Sequence, residues 1–210
     1  MEKEMIPSVQ VGDIQKSHIL QRGKKAPQGW YQLDGKYVSD SGMFCREIFT
    51  LPPQEVKYYT DRIFAASQSS MCLNPIEFWI FDGDKFIGWA ERYISSLDYC
   101  TKGGKDGIII CPSLHREVFS AHCQLQYDLT KLGYIETDLA PVNWAIIQGE
   151  IKTFDKDSVH SISRAADCFS STGTYFKMAI TNTMGNFTEP IKDKIQQNYQ
   201  DPEFWKTLLK

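Results

Sequence analysis

Three turn signals divide much of the chain into β-hairpins and restrict its fold more than any other feature of the sequence. Asp34-Gly35 and Asp82-Gly83 are dipeptides typical of two-residue hairpin turns, and Gln148-Gly149 marks a third, smaller hairpin. Strand-forming residues flank each turn: WYQL and KYV, then IEFWIF and DKFIGWA, then WAII and IKTF. The chain is therefore expected to contain antiparallel strand pairs in both of its halves.

Apolar residues recur at helical spacing elsewhere in the chain. PQEVKYYTDRIFAASQ (53–68) predicts one helix, and a second is expected to begin at the cap Ser113 and to end at Gly133. The side chains expected to face the core are Val56, Tyr59, Ile63 and Ala66 in the first helix, and Leu114, Val118, Ala121, Leu125 and Leu132 in the second. The last residues, DPEFWKTLLK, predict a helix capped by Asp201.

The order of these elements predicts an α+β chain of two lobes. A strand-rich first lobe covers about 10–95, a hinge or linker rich in Gly, Lys and Ser covers 96–107, and a reduced helical lobe covers 108–210. A chain of 210 residues is long enough to bury a core. Ligands tend to bind in a cleft between lobes, so we expect a binding site there.

Composition excludes several classes of function. The 23 Lys and Arg residues against 26 Asp and Glu residues provide no field for gripping nucleic acid or an anionic membrane. The first residues, MEKEMIPSVQVGD, predict no secretory signal. Neither the six cysteines nor the four histidines show metal-ligand spacing, so zinc is not expected, and reduced thiols in a cytosol are the default. His115 and His122 are expected on a solvent-touching side of the second helix, and the tryptophans in the core.

The stretch ETDLAPVNWAIIQGEIKTFDKD (136–157) carries the chemistry. Asp138, Asn143 and Asp155 lie around two brief strands, and their carboxylate and amide oxygens are the ligands that magnesium prefers. Transfer of a phosphoryl group from a nucleotide needs such a metal site and an acid that orients the acceptor hydroxyl. The same residue types are also common in turns and helix caps, which is the alternative interpretation.

This stretch resembles the catalytic and metal-binding loops of the protein-kinase fold. A helix ending in LGYIETDLAPVN, two strands and TFDKD follow that fold's order of Asp, four residues, Asn, and a later Asp. The resemblance implies that Asp138 is the catalytic base and that Asn143 and Asp155 bind magnesium together with ATP. It also implies that GWAERYI (88–94) leads into a hinge that pairs with adenine.

The chain departs from the usual kinase pattern in three places. Glu136-Thr137 replaces the His-Arg before the catalytic Asp, Lys156-Asp157 replaces the Phe-Gly after the metal-binding Asp, and the Ala-Pro-Glu element is missing. These losses resemble the minimal kinases that bacterial pathogens inject through type III secretion, in particular the small family that phosphorylates the ninety-kilodalton heat-shock chaperone of the host. That resemblance implies a virulence effector, a serine/threonine-protein kinase, acting on a host protein in the host cytoplasm.

The phosphate grip of such an enzyme is less well defined. Lys36 after the Asp34-Gly35 turn and Glu55 early in the following helix are the favoured pair, with Lys25, Arg46 and the acid Glu47 left open. Two segments remain candidates for the phosphate loop: GKKAPQG (23–29) and VGDIQKSHIL (11–20).

Two other functions stay open at this point. Asp157, close to Asp155, also suits a small-molecule kinase of the aminoglycoside or choline type. A pseudokinase that binds a partner without chemistry would explain the missing His-Arg. A nucleophilic Cys111 or Cys123 would need a histidine brought near by the fold.

Overall fold

The computed structural model of the chain describes most of residues 53–165 and shorter stretches on either side. The described residues are 6–10, 31–33, 36–38, 43–47, 53–92, 94, 96–104, 107–137, 141–154, 156, 158–165, 194–195 and 197–209. Helices and strands occur together in them, and most strand pairs are antiparallel. The α+β class expected from the sequence is therefore confirmed.

The described strands and helices lie between Ser8 and Leu208 of the chain. The strands are β1 (Ser8–Gln10), β2 (Tyr31–Leu33), β3 (Lys36–Val38), β4 (Met43–Glu47), β5 (Ile76–Asp82), β6 (Lys85–Arg92), β7 (Thr101–Gly104), β8 (Gly107–Ile110), β9 (Tyr134–Glu136), β10 (Trp144–Ile147), β11 (Glu150–Thr153) and β12 (Val159–Ser161). The helices described from end to end are α1 (Pro53–Ser69), α2 (His115–Thr130) and α3 (Pro202–Leu208), and helical residues also occur at 162–165, 194–195 and 197–198. Turns of 3-10 helix occur at Ser96–Asp98, Pro112–Leu114 and Pro141–Asn143.

The chain divides into two compact units. The first comprises Met1–Tyr59 and Pro75–Ile94, and the second comprises Thr60–Asn74 and Ser95–Lys210. Helix α1 contributes residues to both. Among the described residues, no helix is long and apolar enough to cross a membrane.

The first unit is built on a six-stranded sheet in the order β1-β5-β6-β4-β3-β2. Strands β2, β3 and β4 form an antiparallel meander, and β6 of the β5–β6 hairpin pairs with the other edge of β4. Strand β1 adds to β5 in parallel. Ile80, Trp89 and Ala90 are fully buried in this unit, and Trp79 packs edge-on against Phe86 at 5.6 Å between ring centroids.

The second unit packs small sheets around α2. It contains three two-stranded antiparallel sheets, β7–β8, β9–β12 and β10–β11, and α2 packs against β9, β11 and α3. One apolar cluster joins Leu125 and Leu129 to Trp144, and another joins Cys123 to Trp205. Helix α2 therefore contributes buried side chains to two cores, which explains why it is the best covered helix of the unit.

The hairpin predictions are confirmed for the described strands. β2 pairs with β3, β5 with β6 and β10 with β11. The β5–β6 turn lies one residue later than the dipeptide suggests, because Asp82 pairs with Lys85 and Gly83-Asp84 form the turn. Asp201 caps α3 as expected, since its side chain accepts a hydrogen bond from the Glu203 N–H at 2.9 Å.

Four local expectations differ from the structure. The segment predicted as a linker, 96–107, contains a 3-10 turn and one strand of the β7–β8 hairpin. The residue at the N-cap of α2 is Leu114 and not Ser113, because the 3-10 turn Pro112–Leu114 precedes the helix. Helix α2 ends at Thr130, which leaves Leu132 about half exposed. His122 is buried and not solvent-touching, because α3 covers that side of α2.

The β10–β11 turn allows a direct test of backbone strain. Gln148 and Gly149 have φ values of 55° and 83°, and a Cβ built on Gly149 would meet open space. Gly149→Ala should therefore lower the free energy of unfolding by about 1 kcal/mol through its left-handed backbone alone. Gly103→Ala is the matched control, since that site is equally open without a positive φ. Equal losses in urea unfolding followed by tryptophan fluorescence would contradict this explanation.

Candidate functional site

The predicted site residues fall into three groups in the structure. Asn143 is described and buried, and it ends the 3-10 turn that precedes β10. Glu55 is exposed in the first turn of α1. Lys36 is described by its strand position only, whereas Asp138 and Asp155 lie outside the described residues. The open candidate Lys25 and both possible phosphate loops, 11–20 and 23–29, lie outside them as well.

The strand order of the first unit relates the candidate cations to one another. Lys36 of β3 and Arg46 of β4 are Cα partners in the antiparallel ladder. Strand β4 pairs on both sides, with β3 and with β6, and is the last strand before α1. Arg46 and Glu47 therefore occupy an inner strand of the sheet, while Lys36 lies one strand further from β6.

Strands β9 and β12 bring together the two chain segments that carry the acids. Glu136 and Val159 are Cα partners at one end of this pair. Just beyond it, the carbonyl oxygen of Ser158 accepts two hydrogen bonds from Thr137, one from its N–H at 3.0 Å and one from its hydroxyl at 2.9 Å. Asp138 is the next residue after Thr137 in the chain.

The β10–β11 hairpin closes the other side of the same region. Trp144 and Thr153 are the last Cα partners of the hairpin, and the Phe154 N–H then donates to the Asn143 carbonyl oxygen at 3.2 Å. Asp155 directly follows Phe154. The undescribed residues 138–140, 155 and 157 thus lie between described residues that are hydrogen-bonded across the two segments, Thr137 to Ser158 and Phe154 to Asn143.

A buried glutamine fixes this arrangement to helix α2. The Gln126 amide donates to the Glu136 carbonyl oxygen at 2.9 Å and accepts from the Glu136 N–H at 3.1 Å. Gln126 is fully buried, so these two bonds satisfy main-chain groups that water does not reach. The sequence analysis did not identify Gln126. Its signal is a polar residue placed between buried apolar neighbours, Leu125 and Leu129, of the same helix.

Two charged side chains are buried at this site. Glu136 and Lys156 expose 1% and none of their surface, and they occupy two of the positions at which the sequence departs from the kinase pattern. The Ser158 hydroxyl donates to a carboxylate oxygen of Glu136. Burial of a charge is costly unless other groups compensate it, and such positions concentrate at functional sites. From the sequence, both residues are identified only as departures from the kinase pattern.

His122 lies next to Gln126 and contacts two tryptophan rings. Its ring makes edge contacts with Trp144 and Trp205, with centroids 6.0 and 5.6 Å away. Gln126 Nε2 lies 3.4 Å from His122 Nε2, and burial lowers the histidine pKa from 6.5 to about 3. The ring is therefore neutral at physiological pH. No described residue partners its Nδ1 atom.

A second histidine links helix α1 to β12 within the second unit. The buried Arg62 guanidinium donates to His160 Nδ1 at 3.0 Å. Burial, and then the charges of Arg62 and Arg164, lower the pKa of His160 to about 4. His160 and Ile135 are Cα partners, so this contact lies two residues before the Thr137 anchor.

The residue types predicted for the site, an amide and a carboxylate, would suit magnesium better than a softer metal. The described residues contain no group of three or more His, Cys, Asp or Glu side chains that would hold a metal ion. Asn143 would supply an amide oxygen and Asp155 a carboxylate, and magnesium completes such a set with water and phosphate oxygens. Cys123 and Cys100 are poor nucleophiles at neutral pH, because burial raises the thiol pKa of Cys123 to about 12 and, together with the neighbouring Cys111, that of Cys100 to about 11.

Comparison with known proteins leaves the site to be interpreted from its own residues. The chain matches no protein-family model, and a search of curated proteins finds no relative. What the region can do must therefore follow from the residue types in 136–157 and from the hydrogen bonds that flank them.

The Gln126 bridge makes a quantitative prediction. Gln126→Leu should lower the free energy of unfolding by about 2–4 kcal/mol, because it leaves the Glu136 N–H and C=O buried without partners. Gln124→Leu on the same helix is the control. It removes a single half-buried bond to Asp128 at 2.9 Å and should cost less than about 1 kcal/mol. If both variants lost the same free energy of unfolding in urea, the Gln126 bridge would contribute no more than the half-buried bond of Gln124.

The burial of His122 predicts a loss of stability in acid. Because the folded-state pKa of about 3 lies below the ordinary 6.5, the unfolded chain binds more protons between these values. Stability should fall as the pH drops below 6.5, by up to about 1.4 kcal/mol per pH unit from this group. His122→Leu should flatten the dependence measured by urea unfolding, while above pH 7 the two curves should run parallel. The same acid slope in both chains would contradict the assignment.

Proposed function

We propose that the chain is a kinase of reduced, bilobal protein-kinase architecture that uses ATP and magnesium to phosphorylate a protein hydroxyl. The observation that carries the proposal is the pair of backbone anchors at the site. Thr137, next to Asp138, is bonded to Ser158, which follows the segment of Asp155, and Phe154, next to Asp155, is bonded to Asn143. Phosphoryl transfer depends mainly on such positioning of metal ligands and an acid.

Each site residue has a distinct role in this proposal. Asp138 orients the acceptor hydroxyl and accepts its proton, while Asn143 and Asp155 hold magnesium. The metal neutralises charge on the phosphates when it is bound. Lys36, paired with Glu55, steadies the phosphates, and Arg46 is the alternative cation because it lies on the inner strand before α1.

The topology of the first unit supports the same architecture. A three-stranded meander, a helix and a hairpin follow one another, and the second hairpin strand β6 returns to pair with β4. A kinase places its phosphate-binding lysine on the strand before the helix and the partner acid on that helix. This chain has Arg46 on that strand and Glu55 on that helix.

The substrate and the place of action extend the proposal. The acceptor is a serine or threonine of a host protein, and the ninety-kilodalton heat-shock chaperone is the first substrate to test. On this proposal the chain is a bacterial effector that acts in the host cytoplasm after type III secretion.

Phosphate transfer from labelled ATP tests the proposal. The purified chain is incubated with terminally labelled ATP, magnesium and a eukaryotic cytosolic extract. Asp138→Asn and Asp155→Asn should each reduce the label on protein by at least about a hundredfold, because they remove the acid and a metal ligand. Asp201→Asn is the control and should retain activity, since asparagine also caps a helix well.

The other outcomes distinguish the alternatives. Stabilisation by ATP and magnesium without any transfer would assign a binding module, and label on small molecules alone would assign a small-molecule kinase. Equal labelling by the native chain and Asp155→Asn would overturn the proposed metal site.

A further inference from the structure

An open groove lies between helix α2 and the β10–β11 hairpin. Its volume is about 410 Å³, within the range of ligand-binding clefts. The lining residues are Leu114, Glu117, Ala121, Ile146, Gly149 and Ile151. Glu117, Ile146 and Gly149 are exposed, so the groove is accessible from solvent.

The floor of the groove is apolar and one of its side chains is left in water. Ile146 is 39% exposed although its Cα partner Ile151 and the neighbouring Leu114 are half-buried against the core. Exposed large apolar residues also occur elsewhere in the described chain, at Met71, Leu97 and Leu132, but these do not line the groove. A single exposed isoleucine is ordinary, whereas one that faces a concave apolar floor marks a surface that another chain can cover.

The charge at the rim indicates the chemistry of that partner. Glu117 is exposed and forms no ion pair with any described residue. Glu150 follows Gly149 at the other side of the groove, and its side chain is 52% exposed while it pairs with Lys152 at 2.9 Å. Glu117 is the one charged group among the described lining residues, so the groove presents a negative charge beside an apolar floor.

We propose that this groove binds an extended segment of a partner protein in which an apolar side chain is flanked by lysine or arginine. The apolar side chain would cover Ile146 and contact Leu114 and Ile151, and the cation would pair with Glu117. Recognition of this kind uses a pocket for specificity and a complementary charge for orientation. The lining residues of the groove include none of the proposed catalytic residues, and the proposal stands or fails independently of phosphate transfer.

Labelled peptides test the groove directly. The probes are fluorescein-labelled peptides that carry two lysines and one leucine in a glycine-serine background, with one to four residues between the lysines and the leucine. Fluorescence anisotropy measures their binding to the full chain. Glu117→Lys and Ile146→Ser should each weaken the best peptide by at least about tenfold. A peptide with glutamates in place of the lysines should bind Glu117→Lys better than it binds the native chain.

Matched controls separate the groove from the rest of the surface. Leu132→Ser removes an apolar side chain that is 48% exposed and lies outside the groove, and Asp98→Lys reverses an exposed charge in the Ser96–Asp98 turn. Both variants should bind like the native chain. The proposal is overturned if no peptide binds at about 1 mM, or if the controls lose as much affinity as the groove variants. If dodecylamine displaced the best labelled peptide as well as the unlabelled peptide does, the groove would be a small-molecule site instead. If the chain self-associated and thereby lost peptide binding, the occupant of the groove would be a second copy of the chain.

Discussion

The two hydrogen bonds between Gln126 and the main chain of Glu136 are the interaction on which the candidate site depends. They connect α2, the helix that contributes to both cores of the second unit, to a strand of only three residues. Such a short strand has little stability of its own. Because β9 also pairs with β12, the position of Gln126 sets the start of the segment that carries Asp138 and the end of the segment that carries Asp155.

The site buries polar and ionisable side chains at positions where apolar side chains would cost less free energy. Glu136 and Lys156, which have ionisable side chains, are buried, and His122 is buried in its neutral form. Removing groups of this kind from water is unfavourable unless they are hydrogen-bonded, and replacement by apolar residues is often neutral or stabilising. Their presence around 136–158 is more easily explained by a demand for fixed geometry than by a demand for stability.

The sequence predicts those parts of the fold whose cause is local. Asp82-Gly83 and Gln148-Gly149 indicate hairpins because turn conformations select glycine, and Asp201 indicates a helix start because its side chain bonds the first turn. The burial of His122 and the exposure of Leu132 depend on where α3 packs and where α2 ends. Gln126 belongs to the same class, since its partner is a main chain ten residues away. No periodicity encodes such a contact.

The departures from the kinase pattern have a structural explanation under the proposed function. The proposed function needs an anchored catalytic loop, and Glu136-Thr137 stands where the kinase pattern has His-Arg. In this chain Thr137 binds the Ser158 carbonyl oxygen twice, and the Glu136 carboxylate accepts from the Ser158 hydroxyl. Both replacements therefore anchor to the same serine on the neighbouring segment. The loss of His-Arg removes a sequence signature, but it does not leave the start of the loop without support.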